Sequence, residues 1–600
     1  MKKLYNKPEM KKSMIALLLI LISASCTPGA DTGIAETYIH DIQGCNHTSP
    51  FAGKKVSNIR GVVTQKISNG FFMQSVEVDQ MDCSSEGIFV FTRDYPSVMV
   101  GDLVMVDGKV EEYNSGKEED HQLTQTEIIE PNFEVIQTGV DVSEPILLND
   151  LMRLRPDTVI ENDGMSDFDI QQDGLDFYES LESMLVEIDQ AIVVGAKNSY
   201  NEIVVIPASE AQNNILSIQG ALLETAVDRN PERLVIKLPE NDERNINIGD
   251  RITTPIIGIM YYSYDNYKLL SLNPIEVTKA NPTITPFEKH ANGLSIATYN
   301  LENLSPFDHE NRISAFANQI VAILSSPDIL VLNEVMDDSG SVDDGEVTAD
   351  RNLQRLLNAI IDQGGPVYEF SYIDPENNQD GGIAGGNIRC VLLYRIDQGI
   401  KLAEPVNQDE DLLVLHDRLL VRSNPMRIGI REAIFKNSRK PVLWLLEKEN
   451  KQFLVIGIHS LSKGTNDPEW GNQQPPEQPS DTTRIGQAKM INAFVDEILS
   501  QNGSFPVFIA GDANDVPWSE TMRSLTGPYL LNVSDFEDEE ERYTYIFEGN
   551  AQLIDQILIN KNLAVNIIQA RYMHLNTWMN DMEKLSDHDP VIVEVELNQD

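Results

Sequence analysis

The sequence predicts a multidomain protein with β-rich domains in its first half and an α/β domain in its second half. Three observations carry this prediction. From about residue 56 to residue 285, short β-branched and aromatic runs are separated by turns rich in glycine and asparagine. From Leu294 onward, apolar strand-like runs alternate with helical patterns, as in layered α/β domains. A chain of 600 residues also has room for about three to five folding units.

Composition excludes several classes of protein. With 46 basic and 94 acidic residues, the formal net charge is −48, which excludes a basic, histone-like nucleic-acid binder. Hydrophobic residues make up 41% of the chain, which excludes wholesale disorder. If the substrate is a polyanion, bound metal ions and local basic residues must therefore offset the acidity of the whole chain.

Residues 1–26 predict a signal peptide of the lipoprotein type. A lysine-rich segment precedes the apolar run Met14–Ile22, which is shorter than the roughly 20 residues of a membrane span. Small residues follow and lead to Cys26, an arrangement that resembles a bacterial lipobox. Lipidation of Cys26 predicts an outer-membrane or cell-surface lipoprotein that contacts the membrane only through its lipid anchor. Simple cleavage and free secretion is the alternative, and both outcomes predict export.

Export also changes the interpretation of the cysteines. Cys45 and Cys83 fall in one candidate domain and would meet an oxidising compartment, so we predict a disulfide between them. Cys390 lies in an apolar run and is interpreted as a small core residue.

Residues 38–135 predict a small β-barrel, because short strands and turns follow one another closely. Five local sequences resemble, in order, the OB-fold module in front of many secreted bacterial nucleases. They are Ile39–Gly44, Ser49–Pro50, Gly70–Phe72, Gly87–Phe91 and Val100–Val104. The resemblance implies an OB-fold-like domain. The sequence leaves open whether Phe71, Phe72 and Tyr113 stack on bases or fill the barrel.

Residues 145–285 predict a second β-rich domain. The segments SLESMLVEI, NEIVVIPA, ERLVIKLP and GDRITTPIIGIMYY are expected to form strands. Gly249-Asp250 repeats the Gly101-Asp102 pair of the first domain, which suggests a second barrel-like unit. The proline-containing segment 281–286 predicts a linker.

In the C-terminal half, polar residues stand at the ends of apolar strands, where a sheet presents the residues of a site. Each of them alone has an ordinary structural interpretation, but a carboxylate inside an apolar strand costs several kcal/mol unless it is paired or binds a metal. In chain order they are Asn300, Glu334, His459, Asp512, Asn514, Asp555, Asp587 and His588.

This ordered set resembles the endonuclease/exonuclease/phosphatase superfamily, which includes pancreatic deoxyribonuclease. The local sequences HSLSKG, GDANDVP, YTYIFEGNAQLIDQIL and SDHDPV resemble its secreted bacterial extracellular nucleases in particular. The resemblance covers about residues 290–600 and implies a deoxyribonuclease I-like, four-layered α/β sandwich. Asn333 departs from the family pattern, in which glutamine usually precedes the acid; both side chains are amides.

The resemblance implies a divalent metal held by Asn300, Glu334 and Asp587. Oxygen ligands suit Mg²⁺ best here, with Mn²⁺ or Ca²⁺ as alternatives. A metal would neutralise charge on the phosphate during phosphodiester hydrolysis.

The remaining residues of the set are assigned catalytic roles. His588, oriented by Asp555, is the expected base or phosphate contact. Asp512 and Asn514 are expected to position the water and a phosphate oxygen, and His459 to act at the leaving group. Which histidine is the acid and which the base stays open.

Two further residues are candidates for substrate binding. Asn387 and Arg389 follow a glycine-rich turn and precede a strand, where a guanidinium can hold a phosphate. A structural ion pair is the alternative for Arg389.

The sequence thus predicts an exported, metal-dependent nuclease that hydrolyses DNA, with RNA as an open second substrate and no evident obligate protein partner. One alternative is a phosphoesterase of the same fold that acts on phospholipid headgroups or small phosphate esters. Another is a surface-binding protein with a degenerate enzyme domain, which the completeness of the polar set argues against. Endonuclease or exonuclease action stays open.

Overall fold

The computed structural model describes residues 36–117, 120–148, 154–415, 418–464 and 466–597. The predicted signal peptide and Cys26 lie outside the described residues. In the part of the chain that is described, no helix is both long enough and apolar enough to cross a membrane. The predicted domain boundaries stay predictions.

The first unit is a closed β-barrel whose strands pair in the order β1-β2-β3-β5-β4. Its interior is filled by apolar side chains that alternate along the strands, among them Val63, Phe71 and Val104. Cys45 and Cys83, for which a disulfide is predicted, are disulfide-bonded in the structure. The elements are α1 (Ile39–Gln43), β1 (Lys55–Ile67), β2 (Gly70–Gln74), β3 (Gly87–Phe91), β4 (Leu103–Tyr113) and β5 (Gln125–Gln137).

The second unit is one continuous sheet in the order β15-β12-β8-β9-β11-β14-β13-β7-β6. The predicted strand SLESMLVEI is wrong in its first half, because the chain there leaves a short helix and turns before the strand begins. The elements are β6 (Ile146–Leu147), α2 (Gly174–Glu179), β7 (Leu185–Ile188), β8 (Ala191–Gly195), β9 (Glu202–Pro207), β10 (Leu222–Leu223), β11 (Leu234–Lys237), β12 (Arg251–Ile252), β13 (Ile256–Ser263), β14 (Asn266–Ser271) and β15 (Val277–Thr278).

The second unit repeats the strand pairing of the first. The chain runs from β7 directly into β8 and from β12 directly into β13, so each pair acts as one bent strand. β9 pairs antiparallel with β8 and β11, β11 pairs parallel with β14, and β13 pairs antiparallel with β14 and β7. The first barrel has the same succession, with one parallel pair between β3 and β5. The sheet therefore returns on itself as the first one does.

The repeated Gly-Asp pair has the same role in both units. The Asp102 carboxylate accepts a hydrogen bond from the Met99 backbone at 2.8 Å, and Asp250 accepts one from Asn247 at 2.9 Å. Both glycines have a positive φ, 86° at Gly101 and 81° at Gly249, a conformation that favours glycine.

The two units pack face to face. Phe72 and Phe89, on β2 and β3, are buried against Leu185 and Ile259 of the second unit. Phe71 points into the first barrel, so neither Phe71 nor Phe72 is available to stack on bases, whereas Tyr113 is exposed.

Two sheets form the centre of the C-terminal region, one in the order β18-β19-β17-β16-β32-β31 and one in the order β20-β24-β25-β26-β30-β27. The strands of this region are β16 (Leu294–Leu304), β17 (Ile329–Val335), β18 (Tyr368–Ser371), β19 (Arg389–Arg395), β20 (Lys401–Leu402), β21 (Leu412–Val414), β22 (Leu419–Val421), β23 (Met426–Arg427), β24 (Val442–Lys448), β25 (Lys451–His459), β26 (Val507–Asp512), β27 (Leu530–Asn532), β28 (Tyr545–Phe547), β29 (Asn550–Gln552), β30 (Asp555–Asn560), β31 (Ile567–Tyr572) and β32 (Val591–Val595). Four of these strands lie outside the two central sheets: β21 and β22 form a separate hairpin, and β28 and β29 belong to another sheet. β23 pairs with β24 at the side of the second central sheet.

Helices cover the outer faces of these two sheets, so that the domain has four layers. The covering helices are α3 (Glu310–Asn318), α4 (Asp350–Asp362), α5 (Pro479–Gln501) and α6 (Glu520–Thr526), whereas the short α7 (Lys561–Ala564) packs Leu563 and Ala564 against the core between the sheets. α3 and α4 pack on the first sheet, and α5 and α6 on the second. Leu353, Leu356, Leu357 and Ile360 share one buried face of α4, which is the spacing of an amphipathic helix.

A small sheet joins the C-terminal region to the second unit. β29 pairs with β28 in a hairpin and, in parallel, with β10 of the second unit. This hairpin fixes the second unit against the C-terminal region.

Candidate active site

The strands bring the predicted polar residues together at one edge of the two sheets. β16 runs parallel to β17, and β25 runs parallel to β26, so each pair ends on the same side. His459 lies opposite Asp512 in the ladder, and Asp512 lies opposite Asp555. The carboxyl ends of parallel strands are where open sheets present functional residues.

Local backbone geometry turns two of these side chains into the site. Gly511 has a φ of 144°, and a Cβ atom there would collide with the Ile458 carbonyl oxygen, so glycine must precede Asp512. Glu334 has a φ of 60°, and the ladder shifts register on both sides of it. Such a bulge re-aims a side chain at the end of a strand.

His588 and Asp555 form a buried pair. Nδ1 of His588 donates to Oδ2 of Asp555 at 2.7 Å, which leaves Nε2 facing the site. Nε2 lies 3.9 Å from Oδ1 of Asp587, whose side chain is partly exposed. Burial alone would lower the pKa of His588, but Asp555, Asp587 and Asp512 together raise it well above its ordinary value.

Asn300, Glu334 and Asp512 are joined by hydrogen bonds. The Asn300 amide donates to Oε1 of Glu334 and to Oδ2 of Asp512, both at 3.3 Å. Oε2 of Glu334 accepts from the Asn303 backbone at 3.0 Å. The amide therefore bridges two carboxylates that would otherwise repel each other.

Asp512 and Asn514 form one unit. The Asn514 backbone donates to Oδ1 of Asp512 at 2.7 Å, and its amide donates to Oδ2 at 3.1 Å. Burial is the largest influence on Asp512, and together with the carboxylates of Asp555 and Glu334 it raises the pKa of Asp512 to about 7, against an opposing effect of His588.

His459 lies between the two carboxylates. Its Nε2 is 3.5 Å from Oδ2 of Asp512 and 3.8 Å from Oε1 of Glu334. Burial, followed by the nearby positive charges of Arg439 and His588, lowers the pKa of His459 well below its ordinary value. Its Nδ1 is buried and has no hydrogen-bond partner among the residues that the structure describes.

The residues present fit a hard divalent cation. Glu334, Asn300 and the partly exposed Asp587 offer oxygen donors, as the sequence predicts, and such donors suit Mg²⁺, Mn²⁺ or Ca²⁺. Glu302 adds a carboxylate whose pKa is raised by burial and by Asp587 and Glu334. A cation would relieve this mutual repulsion of acidic groups.

Asn387 and Arg389 do not join this group, which corrects the predicted substrate contact. The Asn387 amide donates to Asp337 and to Asn377, both at 2.9 Å. The buried Arg389 guanidinium donates to the carbonyls of Val347 and Asn387 and to Asp374. These bonds anchor the acidic loop 337–350, and a guanidinium engaged in this way is not free to hold a phosphate.

Sequence reasoning missed other residues of the site. Arg439 is buried, donates to the Ser460 carbonyl at 2.6 Å, and lies near Asp512 and Glu334. Tyr545 forms a β-bridge with His588, and their rings are 5.0 Å apart. Glu302 is two residues beyond Asn300, a spacing that could have indicated it. No pattern in the sequence distinguishes Arg439, and Tyr545 lies in the local sequence YTYIFEGNAQLIDQIL without a role assigned to it.

Asn333, which stands where the family pattern has glutamine, positions the site from below. Its amide donates to the Ile458 carbonyl at 2.9 Å, and its oxygen accepts from the Asp512 backbone at 3.2 Å. It therefore links β17 to β25 and β26 beneath the catalytic group.

Comparisons with known proteins agree with this division of the chain. Residues 146–281 match a family model described as a domain of unknown function (DUF8508), and residues 297–588 match the Endonuclease/Exonuclease/phosphatase family. No curated protein matches the sequence.

Solved structures with local similarity include humanized TDP2 of D. rerio (14% identity, 51% of this chain and 99% of that chain, TM-score 0.34). They also include a Bacteroides thetaiotaomicron mannosyl-6-phosphatase (16% identity, 50% of this chain and 99% of that chain, TM-score 0.32). The human Nocturnin catalytic domain is a third (17% identity, 50% of this chain and 94% of that chain, TM-score 0.32). On the family match, residues 297–588 form a domain of the endonuclease/exonuclease/phosphatase family.

Proposed function

We propose that this protein is an exported, metal-dependent phosphodiesterase that hydrolyses extracellular nucleic acid, DNA first and RNA as a second substrate, by attack of water on phosphorus. One observation carries the proposal. The His588–Asp555 pair lies in the same cluster as the carboxylate and amide group of Glu334, Asn300 and Asp512. Phosphodiester hydrolysis requires these parts: an oriented proton-transfer group, oxygen ligands and buried polar groups around the phosphate.

In this proposal the His588–Asp555 pair moves a proton. The Asp555 carboxylate holds the proton on Nδ1 of His588, so the tautomer and the ring orientation are fixed. Nε2 then faces the reacting phosphate and exchanges a proton there. General acid–base catalysis of this kind contributes about 10²–10⁴-fold to a rate.

Asp512, Asn514 and His459 act around the attacking water and the leaving oxygen. Asn514 holds both oxygens of Asp512, so that this carboxylate has one orientation. Burial lowers the pKa of His459 and so favours its uncharged form, which can accept or donate a hydrogen bond through Nε2. The Arg439 guanidinium supplies positive charge near the same carboxylates.

The divalent metal would be held by Glu334, Asn300 and Asp587, with Glu302 beside them. When bound it would neutralise phosphate charge and polarise the phosphorus centre. It would also offset part of the chain's net charge of −48 where the substrate approaches.

Export rests on the leader alone. Lipidation of Cys26 would place the enzyme on the outer membrane or cell surface, and simple cleavage would release it. Expression of the full chain and of Cys26→Ala, followed by membrane fractionation, separates the two. Loss of the membrane-bound fraction in Cys26→Ala supports the anchor, and an unchanged distribution rejects it.

The activity is tested on protein that lacks residues 1–26. Supercoiled plasmid, linear duplex, single-stranded DNA and RNA are incubated with Mg²⁺, Mn²⁺ or EDTA, beside His588→Ala. Cleavage that needs metal and is lost in His588→Ala supports the proposal, and nicking of the plasmid would indicate an endonuclease.

No nucleic-acid cleavage under any metal would reject the proposed substrate. Phospholipid vesicles, small phosphate monoesters and bis(p-nitrophenyl) phosphate are included in the same assay. Hydrolysis of one of these without nucleic-acid cleavage would favour the alternative phosphoesterase.

A further inference from the structure

A cleft of about 800 Å³ lies between the second β-rich unit and the catalytic domain. One wall is the face of β9, β11, β13 and β14. The other is formed by the β28–β29 hairpin and residues 577–584. The two walls come from regions of the chain that are roughly 280 residues apart in sequence, so the cleft exists only in the folded protein.

The strand pairing identifies which face of the second unit lines this cleft. In the five-strand pattern that the second unit shares with the first barrel, β9 and β11 are the second and third strands. The segment before β9 is the loop between strands one and two, and the β13–β14 turn is the loop between strands four and five. In OB-type barrels this face and these two loops bind oligonucleotides and oligosaccharides.

The first barrel cannot use the equivalent face. Its second and third strands, β2 and β3, are covered by the second unit, where Phe72 and Phe89 are buried. The corresponding face of the second unit opens instead into the cleft beside the catalytic domain.

Exposed aromatic rings stand in the cleft. Tyr264 and Tyr200 lie on the two loops of the second unit, 67% and 73% exposed, and Phe547 is at the tip of the catalytic hairpin, 50% exposed. Flat, sequence-tolerant stacking on such rings is how proteins bind single strands without base readout.

Charge in the cleft differs from that of the whole chain. Lys237, Lys268 and Lys584 line it together with three acids, Glu202, Glu548 and Asp581, whereas the chain has 94 acidic and 46 basic residues. Lys268 is buried, lies 5.9 Å from the Tyr264 ring centre and pairs with Glu202, whereas the half-buried Lys584 pairs with the partly exposed Asp581 at 2.8 Å. A backbone phosphate meets less repulsion here than on the acidic surface.

The β28–β29 hairpin and Lys584 connect the cleft to the neighbouring catalytic site. Tyr545, the first residue of the β28–β29 hairpin, bridges to His588, and Lys584 lies near Glu302. Arg233 holds the two hairpin tips together, because it donates to Asn266 at 3.3 Å and to Glu548 at 3.2 Å.

We propose that this cleft binds a single-stranded nucleic-acid chain whose scissile phosphate lies in the catalytic site, with bases stacked on Tyr264 and Phe547 and a phosphate beside Lys584. The inference rests on the proposed function and names the substrate form of that site. It assigns the DUF8508 region the role of holding the strand.

The test measures binding apart from cleavage. The chain lacking residues 1–26 is titrated into fluorescein-labelled (dT)20 in EDTA, and anisotropy gives the Kd. The variant is Tyr264→Asn with Phe547→Ala; asparagine tolerates the φ of 44° at residue 264. We expect the Kd to rise about tenfold or more, as for removal of stacking rings.

Tyr95→Ala is the matched control. Tyr95 is 66% exposed with the Lys66 ammonium 4.8 Å from its ring centre, but it lies on the first barrel. Its Kd should equal that of the wild type. Lys584→Gln provides a second variant, and unfolding temperatures establish that each variant is folded.

The outcomes separate this inference from the proposed function. If the wild type cleaves (dT)20 but the Kd is the same in both cleft variants as in the wild type, the inference is overturned and the proposed nuclease activity is kept. The same holds if Tyr95→Ala raises the Kd as much as the cleft variants do. If the wild type neither binds nor cleaves any nucleic acid while it hydrolyses bis(p-nitrophenyl) phosphate, both proposals fail. If the cleft variants lose at least tenfold more kcat/KM on (dT)20 than on bis(p-nitrophenyl) phosphate, the result supports binding of the strand in the cleft.

Discussion

Nδ1 of His588 lies 2.7 Å from Oδ2 of Asp555, and both side chains are buried. The bond joins the first residue of β30 to the loop before the last strand, β32. Asp555 thereby gains the partner that a buried carboxylate needs, while its other oxygen has no hydrogen-bond partner within the described residues.

Asp555→Asn should lower kcat by about 10²–10⁴-fold with a smaller effect on KM. An amide can keep the contact but does not hold the proton on Nδ1, so His588 loses its tautomer. Steady-state kinetics on single-stranded DNA or bis(p-nitrophenyl) phosphate provide the check. His574→Gln is the control, since His574 is another buried histidine beside a carboxylate, Asp589 at 3.4 Å. Equal losses in both variants would contradict the assignment.

Glu334→Gln should weaken metal binding. Thermal unfolding in a titration of Mn²⁺ reports the affinity without turnover, and a metal at 100 times its Kd stabilises the fold by about 2.7 kcal/mol. We expect the midpoint of that stabilisation to move by roughly tenfold or more, since even indirect ligand partners contribute 10–100-fold. Asp343→Asn is the control, because Asp343 accepts from Asn377 and Asn378 in the acidic loop. An unchanged midpoint in Glu334→Gln would exclude this residue as a ligand.

Arg389 and Arg439 should separate stability from catalysis. Arg389→Lys loses fork-shaped contacts to backbone carbonyls and should lower the free energy of unfolding by about 1–3 kcal/mol, with kcat/KM close to the wild-type value. Arg439→Lys should lower kcat/KM about a hundredfold, because Arg439 carries charge beside Asp512 and Glu334. The reverse pattern would restore Arg389 as the phosphate contact.

The disulfide should stabilise the first barrel. Cys45 and Cys83 are 38 residues apart, and closing a loop of that length restricts the unfolded chain by about 4 kcal/mol. The variant Cys45→Ala with Cys83→Ala should unfold at a lower denaturant concentration, and the wild type with reductant should approach it. Equal denaturant midpoints for the wild type and the variant would show that the disulfide does not stabilise the fold.

His47 should make stability depend on pH. Burial alone would lower its pKa, but Asp176 at 2.7 Å and Glu179 raise it from 6.5 to about 9. The folded state therefore binds the proton more tightly, so this stability is complete below pH 6.5 and is lost as pH rises through about 9. The full shift corresponds to about 3 kcal/mol. Denaturant unfolding between pH 6 and about 10 should show this loss in the wild type and a smaller one in His47→Gln; parallel curves would contradict it.

Much of the fold follows from local pattern. Gly and Asn between β-branched runs predicted the small barrel, and the change of texture at Leu294 predicted the α/β region. The predicted strand over SLESMLVEI failed in its first half because residues 180–183 are buried in a turn after α2 and against the first unit, where apolar content does not distinguish helix, turn and strand. The repeated Gly-Asp pair indicated a second unit like the first, and the pairing of β7–β14 repeats it.

The site was predictable where its residues end strands, and not elsewhere. Asp512 and Asp555 stand out because a carboxylate beside an apolar run is costly unless it has a role. The sequence around Arg439 resembles that of an ordinary exposed loop. Its burial beside Asp512 arises only from tertiary packing. Arg389 was assigned to a phosphate because its sequence context does not show Val347 and Asp374, which engage it.

By itself, the sequence determined the alternation of strands and helices, the order of the polar strand-end residues and the family of residues 297–588. These are short-range properties, since side-chain period and strand ends are set within a few residues. Only the tertiary structure decided that Asp555 meets His588, that Arg389 is engaged elsewhere, and that the second unit opens its face toward the catalytic domain. The reason is physical: burial and pairing depend on which distant surfaces pack together, and the free energy of that packing is a property of the whole chain.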